Sequence, residues 1–237
     1  RNAPTLANVA YHPYYTREGG VPTLEMQIFV PIQEHAEFDF NILLIADRML
    51  RDSTYVEESL KAYNRTPDPF VITRAIATFE RSMISGASRY DKFINGELST
   101  LSLKEQHGMA LFFSDRLSCA SCHSGFNFTN YSFENNGLYN EYSDPGRFRL
   151  TNNEADRALF KVPTLRNIEM TRPYMHDGSL QSLEEVVNHY DSGGANHPHK
   201  SSRVKPLNLS NQEKDELVAF LKSLTDDHFI TNPKFKN

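Results

Sequence analysis

Apolar residues recur at helical spacing along most of the chain, and short polar residues stand where such runs begin. Ser210-Asn211-Gln212-Glu213 reads as a capping box, after which Leu217, Val218, Leu221 and Leu224 share one stripe. Ser102-Leu103-Lys104-Glu105 is a second box and opens a helix expected to run through Gly108, Leu111 and Phe112. Ser182-Leu183-Glu184-Glu185 is a third, followed at helical spacing by Val186, Val187 and Tyr190. Asp68 before Pro69 marks a fourth start, with Ile72, Ile76, Phe79 and Met83 predicted on the buried face. Residues 40–50 and 54–63 also read as helical. No segment sustains the period of two that a half-buried strand requires. The pattern predicts an all-α chain.

Composition narrows the class. The 237 residues suit one large domain or two small ones, and hydrophobic residues make up 39%. No run approaches the roughly 18 apolar residues of a membrane span. Lys and Arg number 25 against 30 Asp and Glu, a net charge of -5 that argues against a nucleic-acid partner, which needs a basic face. Two cysteines exclude a disulfide-dense scaffold.

Those cysteines carry the chemistry. They stand in Cys119-Ala120-Ser121-Cys122-His123. Two thiols at this spacing can form thioethers to the two vinyl groups of one haem, and the adjacent His then lies under the iron as proximal ligand. A thioredoxin-like pair would want a βαβ setting, which residues 110–125 lack. A structural zinc would need a second ligand pair, and none with suitable spacing is visible. The motif therefore predicts covalent haem c. From Leu101 onward the layout is that of a small cytochrome c: a helix, the haem motif, a long loop and a closing helix. Gly108 would let the first of these helices approach the last closely, near Phe220. The stretch from Phe126 to about Leu159 is expected to lack regular structure. Six Phe or Tyr between Phe126 and Tyr142 suit it to cover a haem edge.

Further residues carry a family resemblance. Phe160-Lys161-Val162-Pro163-Thr164-Leu165-Arg166-Asn167 and Arg172-Pro173-Tyr174-Met175-His176-Asp177-Gly178-Ser179 resemble the C-terminal half of bacterial dihaem cytochrome c peroxidases and the related MauG-like enzymes. Residues 1–11, 23–37 and 183–194 resemble the same family. The resemblance implies two cytochrome c-like domains: residues 1–86 as a remnant of the N-terminal, peroxidatic domain without its own C-x-x-C-H, and residues 87–237 as the electron-accepting haem domain. One haem c is then expected in this chain and a second upstream of Arg1. Haem c is attached to exported chains, so a leader ahead of Arg1 and a periplasmic location, free or membrane-anchored, are expected.

Carried over by position, the resemblance makes His123 the proximal ligand of the electron-accepting haem and Glu37 the acid/base carboxylate of the peroxidatic site. It makes Asn2, Thr171 and Pro173 ligands of a calcium ion between the domains, where hard oxygen donors are needed. Tyr190 matches the sixth iron ligand of MauG-like members, although the stripe with Leu183, Val186 and Val187 would equally place it in the core. Met175, His176 and His189 are the alternatives, with His176 better suited to support a ligand than to be one. The family places a Trp between its haems. This chain has none, and the position falls near Arg17, with Tyr14 and Tyr15 close by. The activity implied is reduction of hydrogen peroxide to water with electrons from a small donor such as a monohaem cytochrome c, in a homodimer. A monohaem electron carrier and a MauG-like oxidase of a protein substrate are the competing readings.

Overall fold

Each longer helix begins where a short polar side chain accepts an amide proton that the first turn leaves free. The computed structural model describes residues 1–235. In chain order the helices are α1 (Leu24–Gln27), α2 (Phe29–Gln33), α3 (Ile42–Met49), α4 (Ser53–Tyr63), α5 (Pro69–Arg81), α6 (Arg89–Ile94), α7 (Leu103–Phe112), α8 (Phe148–Thr151), α9 (Leu183–Ser192), α10 (Asn211–Lys222) and α11 (Asp227–Ile230). Ser102 and Ser210 cap α7 and α10 through the expected boxes, and Asp68 caps α5 by accepting from the Val71 amide. Ser88 and Asp91 form a further box on α6 that the sequence reading passed over. At α9 only half of the expected box forms. Ser182 accepts from the Glu185 amide, but the Glu185 carboxylate turns back one residue further and accepts from the Gln181 amide at 2.6 Å.

The all-α expectation holds. The only ladder among the described residues pairs β1 (Phe133–Glu134) antiparallel with β2 (Phe160–Lys161). The buried face of α5 is turned from the one expected. Val71, Ile72, Thr73 and Ala77 are buried, whereas Ile76 and Phe79 are 38% and 49% exposed. Ala77 is small enough to let α5 close onto α1 and α3, and that approach decides the face.

Two hydrophobic clusters result. One gathers Val9, Tyr15, Leu24, Ile28, Ile32, Ile42, Ala46, Ile72 and Ala77; the other gathers Phe112, Leu117, Phe128, Leu183, Val187 and the α10 stripe with Phe220 and Leu224. A buried polar knot ties them. Asn8 exchanges two 2.7 Å bonds with the Ser85 backbone, and Asn167 donates to the Ser85 hydroxyl at 3.0 Å. Asp226 accepts from the Gly86 and Ala87 amides, both at 2.9 Å. Burial opposes the Asp226 charge, but these amide donors outweigh it and hold its carboxyl below the usual range.

The crossing of α7 and α10 organises the second cluster. A β-carbon at Gly108 would lie 1.9 Å from the Glu216 carbonyl oxygen and 2.9 Å from the Phe220 β-carbon, so only glycine permits this approach. The expected contact with Phe220 is therefore present. The 126–159 stretch is more ordered than its sequence suggests. It contains β1 and α8, and side-chain amides and hydroxyls replace a regular ladder: Thr129 donates to the Val162 carbonyl at 2.7 Å and Asn135 to that of Ala158 at 3.0 Å.

Candidate haem site

The haem motif lies on a 3-10 turn, Cys119–Ser121, entered through Ser118 in the left-handed region. The turn closes when the His123 amide donates to the Cys119 carbonyl at 2.9 Å. Cys119, Cys122 and His123 thereby face one cavity of about 300 Å³. The chain then doubles back, and the Phe128 carbonyl meets His123 Nδ1 at 3.0 Å. With Nδ1 committed to a carbonyl, Nε2 is the nitrogen left to ligate a metal. Burial holds the imidazole below its ordinary pKa against the opposing carbonyls of Phe128 and Pro163, so the ring is neutral at pH 7. Both thiols are free. Burial pushes Cys119 up to about 11 and raises Cys122 as well, so neither is a thiolate waiting to react.

Elsewhere the wall is largely apolar, with Leu117, Val162, Leu165, Leu183, Val187 and Leu217. Such a surface suits the faces of a macrocycle. Two thiols, one imidazole with a fixed tautomer and an apolar slot fit haem c.

Among the candidates for sixth ligand, Tyr190, Met175 and His176 line the cavity, and His189 does not. Burial pushes the Tyr190 phenol up to about 12, against the side chain of Asn136, which lies beside it. The other three are engaged elsewhere. The Asn136 amide donates to Met175 Sδ at 3.2 Å, and the Asn136 carbonyl meets His189 Nε2 at 3.0 Å. His176 stacks on Phe160 with ring centres 4.1 Å apart. Asn136 thus touches three of the four candidates, and nothing in its local sequence marks it out.

Asn2 approaches the 173–176 turn from the far end of the chain. Its side-chain nitrogen is 2.5 Å from the Pro173 carbonyl and 3.3 Å from that of Met175, and its backbone amide donates to His176 at 2.8 Å. Thr171 lies on the same cavity wall, but its hydroxyl donates to the Ile168 carbonyl. Asn2 and Pro173 are therefore in contact, whereas the Thr171 side chain is committed within its own turn. Glu37 lies apart from all of these, exposed on the turn after α2, where its amide donates to the Glu34 carbonyl at 3.0 Å.

A family described as di-haem cytochrome c peroxidase matches residues 1–99, and one described as cytochrome c matches residues 106–225. The cytochrome c551 peroxidase of Nitrosomonas europaea is 33% identical over 99% of this chain and 67% of its own length. The chain belongs to the dihaem cytochrome c peroxidase and MauG family. The methylamine utilization protein MauG of Methylorubrum extorquens is another relative, 35% identical over 94% of this chain. The chain spans 64% of that protein's length. A solved MauG-like protein associated with microbial copper homeostasis superposes with a TM-score of 0.90 at 32% identity, covering 99% of this chain and 78% of that one.

Membership of this dihaem family makes haem c the cofactor class and oxidoreduction the chemistry. No described helix is long and apolar enough to cross a membrane.

Proposed function

We propose that this chain holds the electron-accepting haem of a dihaem enzyme that reduces hydrogen peroxide to water. The observation that carries this reading is the His123 ring, fixed through Nδ1 on an apolar wall shared with two free thiols. When bound, the haem supplies a one-electron ferric/ferrous couple. The thiols of Cys119 and Cys122 tether it, His123 Nε2 ligates it, and Tyr190 supplies an oxygen as sixth ligand. Tyr190 is favoured because it lines the cavity and matches the ligand position of MauG-like members. Residues 1–86 are then part of the peroxidatic domain and residues 87–237 the second haem domain. The peroxidatic haem needs a C-x-x-C-H that residues 1–86 do not contain.

The net reaction takes one peroxide, two protons and two electrons to two waters, with the electrons drawn singly from a small donor such as a monohaem cytochrome c. Glu37 moves the proton, taking it from one peroxide oxygen and returning it to the departing one. Asn2, through its side-chain oxygen after rotation of the amide, joins the Thr171 and Pro173 carbonyls in holding a calcium ion. The enzyme works in the periplasm as a homodimer.

Glu37→Gln in the full-length enzyme is expected to lower peroxide turnover at least about a hundredfold while leaving the haem spectrum unchanged. Stopped-flow assays of donor oxidation check this, and undiminished turnover would remove Glu37 from the peroxidatic site. Tyr190→Phe is expected to favour the ferrous state of the His123 haem by about tenfold, or about 59 mV for one electron, measured by redox titration. An unchanged potential would return Tyr190 to the core stripe. One observation favours a second reading, oxidation of a protein side chain in the manner of MauG: the cavity-lining phenol of Tyr190. Under that reading, peroxide added without a donor produces an oxidised state lasting minutes, and a small cytochrome does not speed its decay.

A further inference from the structure

Two cations on the cavity wall lack a counter-charge. Arg17 is partly buried, and its Nε donates to the Asn2 carbonyl at 2.7 Å. Its two terminal nitrogens make no hydrogen bond among the described residues, and its side chain lines the haem cavity. Lys161 lines the same cavity, is 9% exposed, and donates one bond to the Tyr14 carbonyl at 2.8 Å. The two are neighbours, because the Lys161 amide donates to the Arg17 carbonyl at 2.7 Å.

The carboxylates around them are already engaged. Glu18 pairs with Arg1 and Arg149, and Asp144 pairs with Arg1. Asp177 accepts from the Tyr139 hydroxyl at 2.6 Å and the Ser179 amide at 3.1 Å. Burial, then repulsion by Arg1, brings the Arg17 guanidinium down to about 10; burial, then repulsion by Arg17, brings Lys161 down to about 8. The other cations on the wall differ. Arg203 and Lys205 are exposed, and Arg203 is paired with Glu134 at 3.0 Å.

A half-buried guanidinium with free donors beside a buried ammonium suits an anion of matching geometry. We infer that Arg17 and Lys161 form a carboxylate-binding site that takes the two propionates of the haem, and so fix which edge of the macrocycle faces the 1–86 half of the chain. The site rests on the haem reading above. Its charge balance closes with two cations against two carboxylates. A positive charge at the haem edge also disfavours the ferric state, which carries one more positive charge than the ferrous.

The test uses the haem-loaded, full-length protein. Arg17→Gln is expected to shift the ferric/ferrous equilibrium of the His123 haem at least about threefold toward ferric, or about 28 mV at 59 mV per tenfold change. It should also displace the propionate vibrations in the resonance Raman spectrum, and Arg17→Lys should restore most of the potential. If Arg17→Gln fails to load haem, Lys161→Gln carries the same measurements. Unchanged potentials and propionate bands in loaded Arg17→Gln and Lys161→Gln would overturn the site. So would a potential in the parent protein that moves with added inorganic phosphate at constant ionic strength and loses that response on substitution of Arg17, since the pair would then be open to solution anions. Absence of covalent haem from the parent protein would overturn the haem reading itself, and that failure is visible before any variant is made.

Discussion

Replacing Cys119 and Cys122 together by serine is expected to abolish covalent haem. A hydroxyl does not add to a vinyl group under conditions where a thiol does, so no thioether can form at either position. His123 would keep its place, because its orientation comes from the Phe128 carbonyl and not from the cysteines. Some haem could then still enter the apolar cavity and bind through the imidazole alone, but it would leave on denaturation. Intact mass and haem staining after denaturing electrophoresis separate the two cases. The parent should gain the mass of a haem attached through residues 119–122, each single variant should keep one thioether, and the double variant should carry none. Haem surviving denaturation in the double variant would place the attachment elsewhere and remove the basis for the cavity as the haem site.

The second large effect concerns the support beneath that site. Arg166 is 2% exposed and donates through Nη1 to Asp91 Oδ2 at 2.5 Å and through Nε to the Phe126 carbonyl at 2.8 Å. Its guanidinium lies 4.6 Å from the Phe126 ring centre and 5.4 Å from that of Phe128. Arg166→Met keeps much of the volume but leaves the Asp91 charge buried with only Ser88 as a donor, and leaves the Phe126 carbonyl without its partner. Breaking a buried pair from one side costs about 3–5 kcal/mol, and we expect a loss of that size in urea unfolding. Asp91→Asn combined with Arg166→Met should cost less than the sum of the two single changes, because the uncompensated charge is then gone. A loss below about 1 kcal/mol in the single variant would mean that the pair is not a determinant of stability. The haem spectrum should respond too, since Arg166 braces the 126–128 segment whose carbonyl orients His123.

The helix starts and the haem motif were legible because their information is local. Capping needs a side chain within three residues of the amide it accepts, and thioether attachment needs two thiols and a histidine on one turn. Ser102, Ser210, Asp68 and Cys119 through His123 satisfy those rules within their own segments. Gly108 was legible for a related reason, since a glycine in an apolar helix face points to close approach. The face of α5 was misjudged at Ile76 and Phe79 because hydrophobicity alone does not say how near a neighbouring helix can come. Ala77 settles that by its size. Glu37 stands on an exposed turn, so its proposed role rests on resemblance and on the reaction's need for a proton carrier.

The amino-acid sequence alone determined an all-helical chain with one covalent haem motif, since periodicity, caps and the spacing of two cysteines act over a few residues. The tertiary structure decided what shares the cavity. It brought Asn2 onto Pro173 across 171 positions, set Arg166 against Asp91, left Tyr190 on the cavity wall while Asn136 engaged Met175 and His189, and put Arg17 and Lys161 on the same wall with backbone carbonyls as their side-chain hydrogen-bond acceptors. These meetings depend on how distant segments cross, and a side chain carries no mark of its distant neighbour until packing brings the two together.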